Sequence, residues 1–221
     1  MTRPLIPTNP SRRGRPIKKG LREHMLLHTL QTLLRDGYDK FSMRAVAESA
    51  SASKESLYRH FKDKASLLCA ALEHIGQNVE PLLLDGVHDG LTAQQRLQRL
   101  ATNYLQGCLV PESLALQRIA YADAGKTLGP VFVKQFTDAA FAVMVRQFTV
   151  MGTPKPKLDA EIFLAMVQGQ IHEKALLGIT NGLNSKKLKE VTGHAVSVFS
   201  AYLHQAQDPR SKSNGIIAAK V

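Results

Sequence analysis

SMRAVAESASASKESLYRHF, Ser42 to Phe61, contains two short helical patterns separated by a tight polar break. In the first, Met43, Val46, Ala47 and Ala50 repeat with the 3.6-residue period of one buried helix face, and Ser42 stands where an N-cap hydroxyl is needed. In the second, Leu57 and Phe61 are the inward anchors, Ser53 is the N-cap candidate, and Glu55 in the first turn complements the helix dipole. Small and charged side chains are thereby exposed at the start of a short rigid rod. That shape fits a DNA major groove.

Upstream, Leu26, Leu27, Leu30, Leu33 and Leu34 fall on one helical face, and Gly37 follows as a stop. Downstream, a fourth pattern runs from about Lys64 through Leu67, Leu68, Ala71, Leu72, Ile75 and Val79 to a stop at Pro81, with Asp63 as its cap. Helices this short are marginal alone, so the first three must share a core. Ala45, Ala47 and Ala50 are small enough to let the second and third helices cross closely. Tyr58 and Phe61 are placed to close the base of that core.

The outer face of the third helix carries Lys54, Glu55, Ser56 and Arg59. Lysine or arginine donates to guanine O6 and N7, glutamate accepts from cytosine N4, and serine does either, so these four are the candidates for reading base edges. The capping residues Ser42 and Ser53 complete the DNA-facing candidates.

Gly37-Tyr38, Ser42, Val46-Ala47, Ala50-Ser51-Ala52-Ser53 and Tyr58-Arg59-His60-Phe61-Lys62-Asp63-Lys64 occur at spacings that resemble the DNA-binding domain of the TetR family of bacterial transcriptional regulators, over about residues 23–69. Ser51 departs from the family pattern, which usually has glycine in that turn. A serine is accommodated there at modest strain if φ stays negative or the local fold constrains it. The resemblance implies that Arg44 reaches a base or a phosphate, that Tyr58 and His60 contact phosphates, and that Lys64 clamps the backbone. Such contacts position a duplex without choosing its sequence.

Charge distribution agrees with a polyanionic partner. The 221-residue chain has a formal net charge of +11, and residues 1–64 carry 14 Lys and Arg against 6 Asp and Glu. Residues 1–20 hold four prolines and two glycines and read as a flexible arm, with Arg12, Arg13, Arg15, Lys18, Lys19 and Arg22 clustered in or just beyond it. Cys69 and Cys108 are too few for a disulfide scaffold, and no apolar leader or stretch of about 18 to 20 apolar residues is evident. A cytoplasmic protein with no membrane span is expected. The eight histidines are scattered, and no HExxH, GxGxxG, GxSxG or closely spaced Cys/His set occurs, so no metal, cofactor or catalytic residue is assigned. The competing readings are a nonspecific architectural DNA binder and, more remotely, a helical enzyme.

Beyond residue 81 the patterning stays helical. Helices are expected over about 92–108, opened by a Thr92/Gln95 capping box, over 111–123, over 130–151, over 159–177 and over 186–205. The last two form a hydrophobic hairpin that is either internal core or half of a four-helix dimer interface. A two-fold dimer sets two reading helices about 34 Å apart on a palindromic site, and dimerisation through this hairpin is what the family resemblance implies. Leu97, Tyr104, Leu116, Phe132, Phe136, Phe141, Met144, Phe148 and Met166 are candidates for lining a pocket for a small apolar or amphipathic effector, the role the resemblance implies for this region. The segment from Glu112 to Gly125 also resembles that of regulators of multidrug and solvent efflux. The expected fold is all-α: a three-helix helix-turn-helix head (21–64), a fourth helix (about 64–80) joining it to a helical ligand-binding and dimerisation domain (81–208), and a flexible tail (209–221).

Overall fold

The computed structural model describes residues 20–123, 126–180 and 183–207, and among them every regular element is helical. The order is α1 (Leu21–Lys40), α2 (Met43–Ser49), α3 (Lys54–His60), α4 (Lys64–Gly76), α5 (Val79–Leu83), α6 (Ala93–Leu109), α7 (Pro111–Ala122), α8 (Leu128–Phe132), a π-helical turn (Val133–Thr137), α9 (Asp138–Val150), α10 (Pro156–Leu176) and α11 (Ser185–Gln207). The expected basic arm, except Gly20 and the adjoining Arg22, and the expected tail lie outside the described residues.

Packing gathers the chain into two compact units whose boundaries cut across the division expected near residue 81. Among the described residues, one unit comprises the chain up to Pro81 together with Gly107–Ala139; the other comprises Leu82–Gln106 and the chain from Ala140 to Gln207. The reason lies in the partners of the head helices. In the first unit α7 packs on α1, while α8 and the π-helical turn pack on α4, so residues 107–139 complete a core that α1–α4 begin.

Within that unit the buried stripe of α1 is Met25, Leu26, Thr29, Leu30, Thr32 and Leu33, whereas Leu27 and Leu34 are only half-buried. A leucine pattern alone overlooked the two threonines. Thr29 solves its own burial by donating its hydroxyl to the Met25 carbonyl at 2.7 Å. Gly37, at φ 73°, breaks the helical path as expected, although short-range hydrogen bonding continues to Lys40. The fourth helix stops earlier than Pro81. It ends at Gly76, and Pro81 lies within α5, whose first turn tolerates a residue without an N–H. Gly76 is required by close approach, because a Cβ there would meet Gln135 Cβ of the π-helical turn at 2.8 Å. Asp123 organises the start of α8, its carboxylate accepting from the N–H groups of Thr127 and Leu128 at 2.6 Å each; these bonds hold its pKa below the usual value.

The second unit is centred on aromatic rings from three helices. Phe148 of α9, Phe163 of α10 and Phe199 of α11 are fully buried, with ring centroids 5.0 to 5.6 Å apart. Tyr202 extends the cluster and donates its hydroxyl to the buried Asp159 carboxylate at 3.0 Å. The same unit holds polar clasps. Arg96, 8% exposed, donates to Gln147 Oε1 at 2.8 Å and to the His88 carbonyl at 2.9 Å, while the Gln98 amide donates to Thr192 Oγ1 at 2.8 Å across α6 and α11. The Thr92/Gln95 capping box forms as expected. Helix α10 packs on α11, begins at Pro156 instead of Asp159, and is broken at Gly169.

One expectation about apolar length is corrected. The run Leu128–Val150 holds an 18-residue window of mean hydropathy 1.3 and is long and apolar enough to cross a membrane by length and composition. Its charged residues Lys134, Asp138 and Arg146 are exposed, while Leu128, Ala140, Val143, Met144 and Phe148 are buried in the protein. Counting uninterrupted apolar residues missed it because Lys134 and Asp138 fall inside the run.

Candidate nucleic-acid interface

Both short helices of the head are capped by the serines that the sequence singled out. Ser42 Oγ accepts from the Ala45 N–H at 3.1 Å, and Ser53 Oγ accepts from the Ser56 N–H at 3.1 Å. Each serine uses oxygen as an acceptor in its cap, which leaves the hydroxyl proton able to donate to a phosphate oxygen. At the start of α4 a reciprocal box forms: Asp63 Oδ1 accepts from the Ser66 N–H, and Ser66 Oγ accepts from the Asp63 N–H.

The single residue of α3 that is buried is Leu57, 0% exposed, and Phe61 follows it into the core. Lys54, Glu55, Tyr58, Arg59 and His60 are exposed and Ser56 is half-buried. Tyr58, at 54% exposure, does not close the base of the core; Phe61 does so alone. Helix α2 buries Met43, Val46 and Ala47 and exposes only Arg44 and Glu48. These two are joined, Arg44 Nε donating to Glu48 Oε1 at 2.7 Å. Lys64 is half-buried. Its ammonium donates to the Tyr38 carbonyl at 2.8 Å and lies 4.1 Å from the centre of the Tyr38 ring, tying the start of α4 to the end of α1. An ammonium has three donors, so two remain for a phosphate.

The turn between α2 and α3 holds a strained residue. Ser51 adopts φ 50°, in the left-handed region that favours glycine, so the negative-φ alternative does not apply and the surrounding fold constrains it. Two histidines of α1 grip the chain immediately before it. His24 Nε2–H donates to the Ala50 carbonyl at 3.2 Å, and His28 Nδ1 hydrogen-bonds Ser49 Oγ at 2.8 Å. Their rings lie 4.4 Å apart, and burial, then the neighbouring His24, lower the His28 pKa. A scattered count of histidines hid this pair, whose i,i+4 spacing was the available signal.

Replacing Ser51 with glycine is expected to stabilise the protein by about 1 kcal/mol, the left-handed strain of an L-residue less the added chain entropy of glycine. Equilibrium denaturation reads the gain. A loss of stability in Ser51→Gly would mean that the turn carries no such strain.

The nine candidate pocket residues divide between the units. Leu116, Phe132 and Phe136 belong to the first, with the Phe132 and Phe136 rings stacked at 4.7 Å; Leu97, Tyr104, Phe141, Met144, Phe148 and Met166 belong to the second. Of the nine, Leu116 alone lines the apolar crevice that Leu33, Leu68, Leu72, Ile119, Ala120 and Leu128 form within the first unit. Among the described residues no group of three or more His, Cys, Asp or Glu side chains is arranged to hold a metal ion.

A capped two-helix turn with an exposed, charged second helix, carried by an all-helical body, defines a helix-turn-helix DNA-binding regulator. Residues 27–71 match the family of bacterial regulatory proteins called tetR, and residues 95–203 match the C-terminal domain of AefR-like transcriptional repressors. The chain belongs to the TetR family. It is 38% identical over 90 residues to the DNA-binding transcriptional repressor TetR of Mycobacteroides abscessus, covering 40% of this chain and 47% of that one. The chain spans about half the length, or less, of the first curated relatives it matches. A putative TetR-family regulator from Mesorhizobium loti superposes with a TM-score of 0.76 at 22% identity, covering 82% of this chain and 96% of that one. The flavonoid-responsive regulator FrrA does so with a TM-score of 0.66 at 21% identity, covering 82% and 96%. At these identities the likeness is one of fold.

Proposed function

We propose that this protein is a cytoplasmic, dimeric repressor that binds a palindromic operator and is released from it by a small apolar or amphipathic effector. The observation that carries the reading is α3 itself: one buried leucine and a serine cap fix it to the head, and Lys54, Glu55 and Ser56 stand in its N-terminal turn. In this reading Lys54, Glu55, Ser56 and Arg44 face base edges. Ser42, Ser53, Tyr58, His60 and Lys64 face the phosphate backbone, and Arg59, exposed on α3, stays among the base-edge candidates.

Dimerisation is assigned to α10 and α11, which pack together and expose Leu158 and Val198, with Leu177 exposed at the C-cap of α10. Effector sensing is assigned to the chain beyond residue 81, where the nine apolar and aromatic candidates lie. A structural relative described as flavonoid-responsive supports an amphipathic organic effector. The effector acts by binding the released conformer more tightly, and turning a 99:1 balance to 1:99 needs about 5.5 kcal/mol of difference. Helix α4 is the lever in this reading, since Leu68 and Leu72 line the apolar crevice while Lys64 stands at its start.

Selection from a randomised DNA library tests the DNA reading. A palindrome with half-sites about one helical turn apart is expected, preferred over random DNA by about 10³-fold or more near 150 mM salt. Lys54→Ala should relax one position in each half-site, lowering discrimination there by roughly tenfold. A flat selection would favour the architectural alternative, and an unchanged Lys54→Ala profile would remove Lys54 from the base readers.

A further inference from the structure

Glu48 is absent from the DNA-facing residues that sequence and family pattern supply, yet it and Arg44 are the two exposed residues of α2. The two side chains are one turn apart and 73% and 65% exposed. An acidic side chain on a surface that meets a polyanion is unfavourable unless it performs a task there. Its bond identifies the task. Glu48 Oε1 takes the Nε–H of Arg44, the inner donor of the guanidinium, at 2.7 Å. A guanidinium is planar, so holding Nε fixes the plane and leaves the two terminal nitrogens, four N–H groups, as an outward fork. That fork matches guanine O6 and N7, a contact that depends on orientation, whereas an unrestrained arginine meets any phosphate equally well.

We propose that Glu48 is a specificity-determining positioning residue: it holds Arg44 for base reading and, through its own charge, weakens binding to DNA that offers no matching base. The inference rests on the proposed DNA-binding function. It assigns two measurable effects to one carboxylate. Orientation of Arg44 raises discrimination at one base pair of each half-site, and repulsion from phosphates lowers the affinity for random sequence.

Because the pair is exposed, its removal leaves the fold intact. Operator and random duplexes are titrated with wild type, Glu48→Ala, Glu48→Gln and Arg44→Ala over a range of salt concentrations, with thermal melts as the folding control. Glu48→Ala should bind random DNA several-fold more tightly and lose about tenfold of discrimination at a single base pair per half-site. Glu48→Gln, which keeps the acceptor oxygen without the charge, should show the gain in random binding and retain part of the discrimination. In an Arg44→Ala background Glu48→Ala should no longer change base preference. Were wild type to show no preference among sequences, the DNA-reading function itself would fail. If wild type discriminates and Glu48→Ala keeps the same profile and the same random affinity, the function stands and the assignment of Glu48 is overturned.

Discussion

A Phe148→Ala protein is expected to lose about 3 to 5 kcal/mol of stability. The ring is fully buried and meets Phe163 edge-on at 5.6 Å and Phe199 at 5.5 Å, so truncation removes the transfer energy of the side chain, opens a cavity and breaks two aromatic contacts. The neighbours have little freedom to collapse into the space. Phe199 is also packed against Tyr202, whose hydroxyl is held by Asp159, so moving one ring disturbs a buried hydrogen bond. Against the roughly 5 to 15 kcal/mol that stabilises an ordinary domain, this one substitution removes a large share. Denaturant titration at fixed protein concentration, with the midpoint falling and the slope unchanged, measures it. The result also decides what Phe148 is. A ring that lines a ligand cavity already has open space on one side and would cost far less to truncate; a loss below about 1.5 kcal/mol would keep Phe148 among the nine pocket candidates, and the larger loss expected here makes it core.

The contrast between Phe148 and Ser53 explains what the sequence could reveal. Ser53, Ser42 and the Thr92/Gln95 box are local devices: donor and acceptor lie three residues apart in the chain, so the pattern of letters contains the geometry. The helical periods of α2, α3 and α6 were legible for the same reason. Phe148 carries a different kind of information. Its partners lie 15 and 51 positions away, and the same letters fit a packed core or a pocket wall equally well. Tyr58 failed in the same way, because an aromatic five residues from the cap fits either the base of the core or the DNA-facing surface.

The interface repeats this division. Exposure of Lys54, Glu55 and Arg59 followed from where Leu57 must point, and the structure agrees, whereas Ser56, expected on the same outer face, is half-buried. Lys64 resting on Tyr38, His24 and His28 gripping Ser49 and Ala50, and the left-handed Ser51 depend on how α1 meets the later helices, which no local period encodes. The two-unit packing belongs with them. Nothing in residues 107–139 announces that α7 will lie on α1 or that Gln135 will press against Gly76. Those contacts join segments about 60 to 90 residues apart, and they decide which parts of the chain share a core.

Leu57→Ala is expected to abolish operator binding at concentrations where wild type is saturated. Helix α3 has seven residues, too few to persist without tertiary support, and Leu57 is its single buried side chain. A buried leucine truncated to alanine costs about 2 to 5 kcal/mol, which falls here on one small element. The Ser53 cap remains, but a cap worth about 1 kcal/mol cannot hold a helix that has lost its anchor. The apparent dissociation constant equals the intrinsic one divided by the fraction of molecules with α3 docked, so even a tenth docked weakens binding tenfold before any contact to DNA is altered. Amide hydrogen exchange identifies the cause. Protection should vanish first over Lys54–His60, while the amides around Phe148, Phe163 and Phe199 stay slow. Leu57→Met, which conserves volume, should restore both protection and binding to near wild type. If Leu57→Ala lost DNA affinity with α3 still protected, the side chain would be contacting the duplex itself, and the placement of Leu57 as the inward anchor of the reading helix would be wrong.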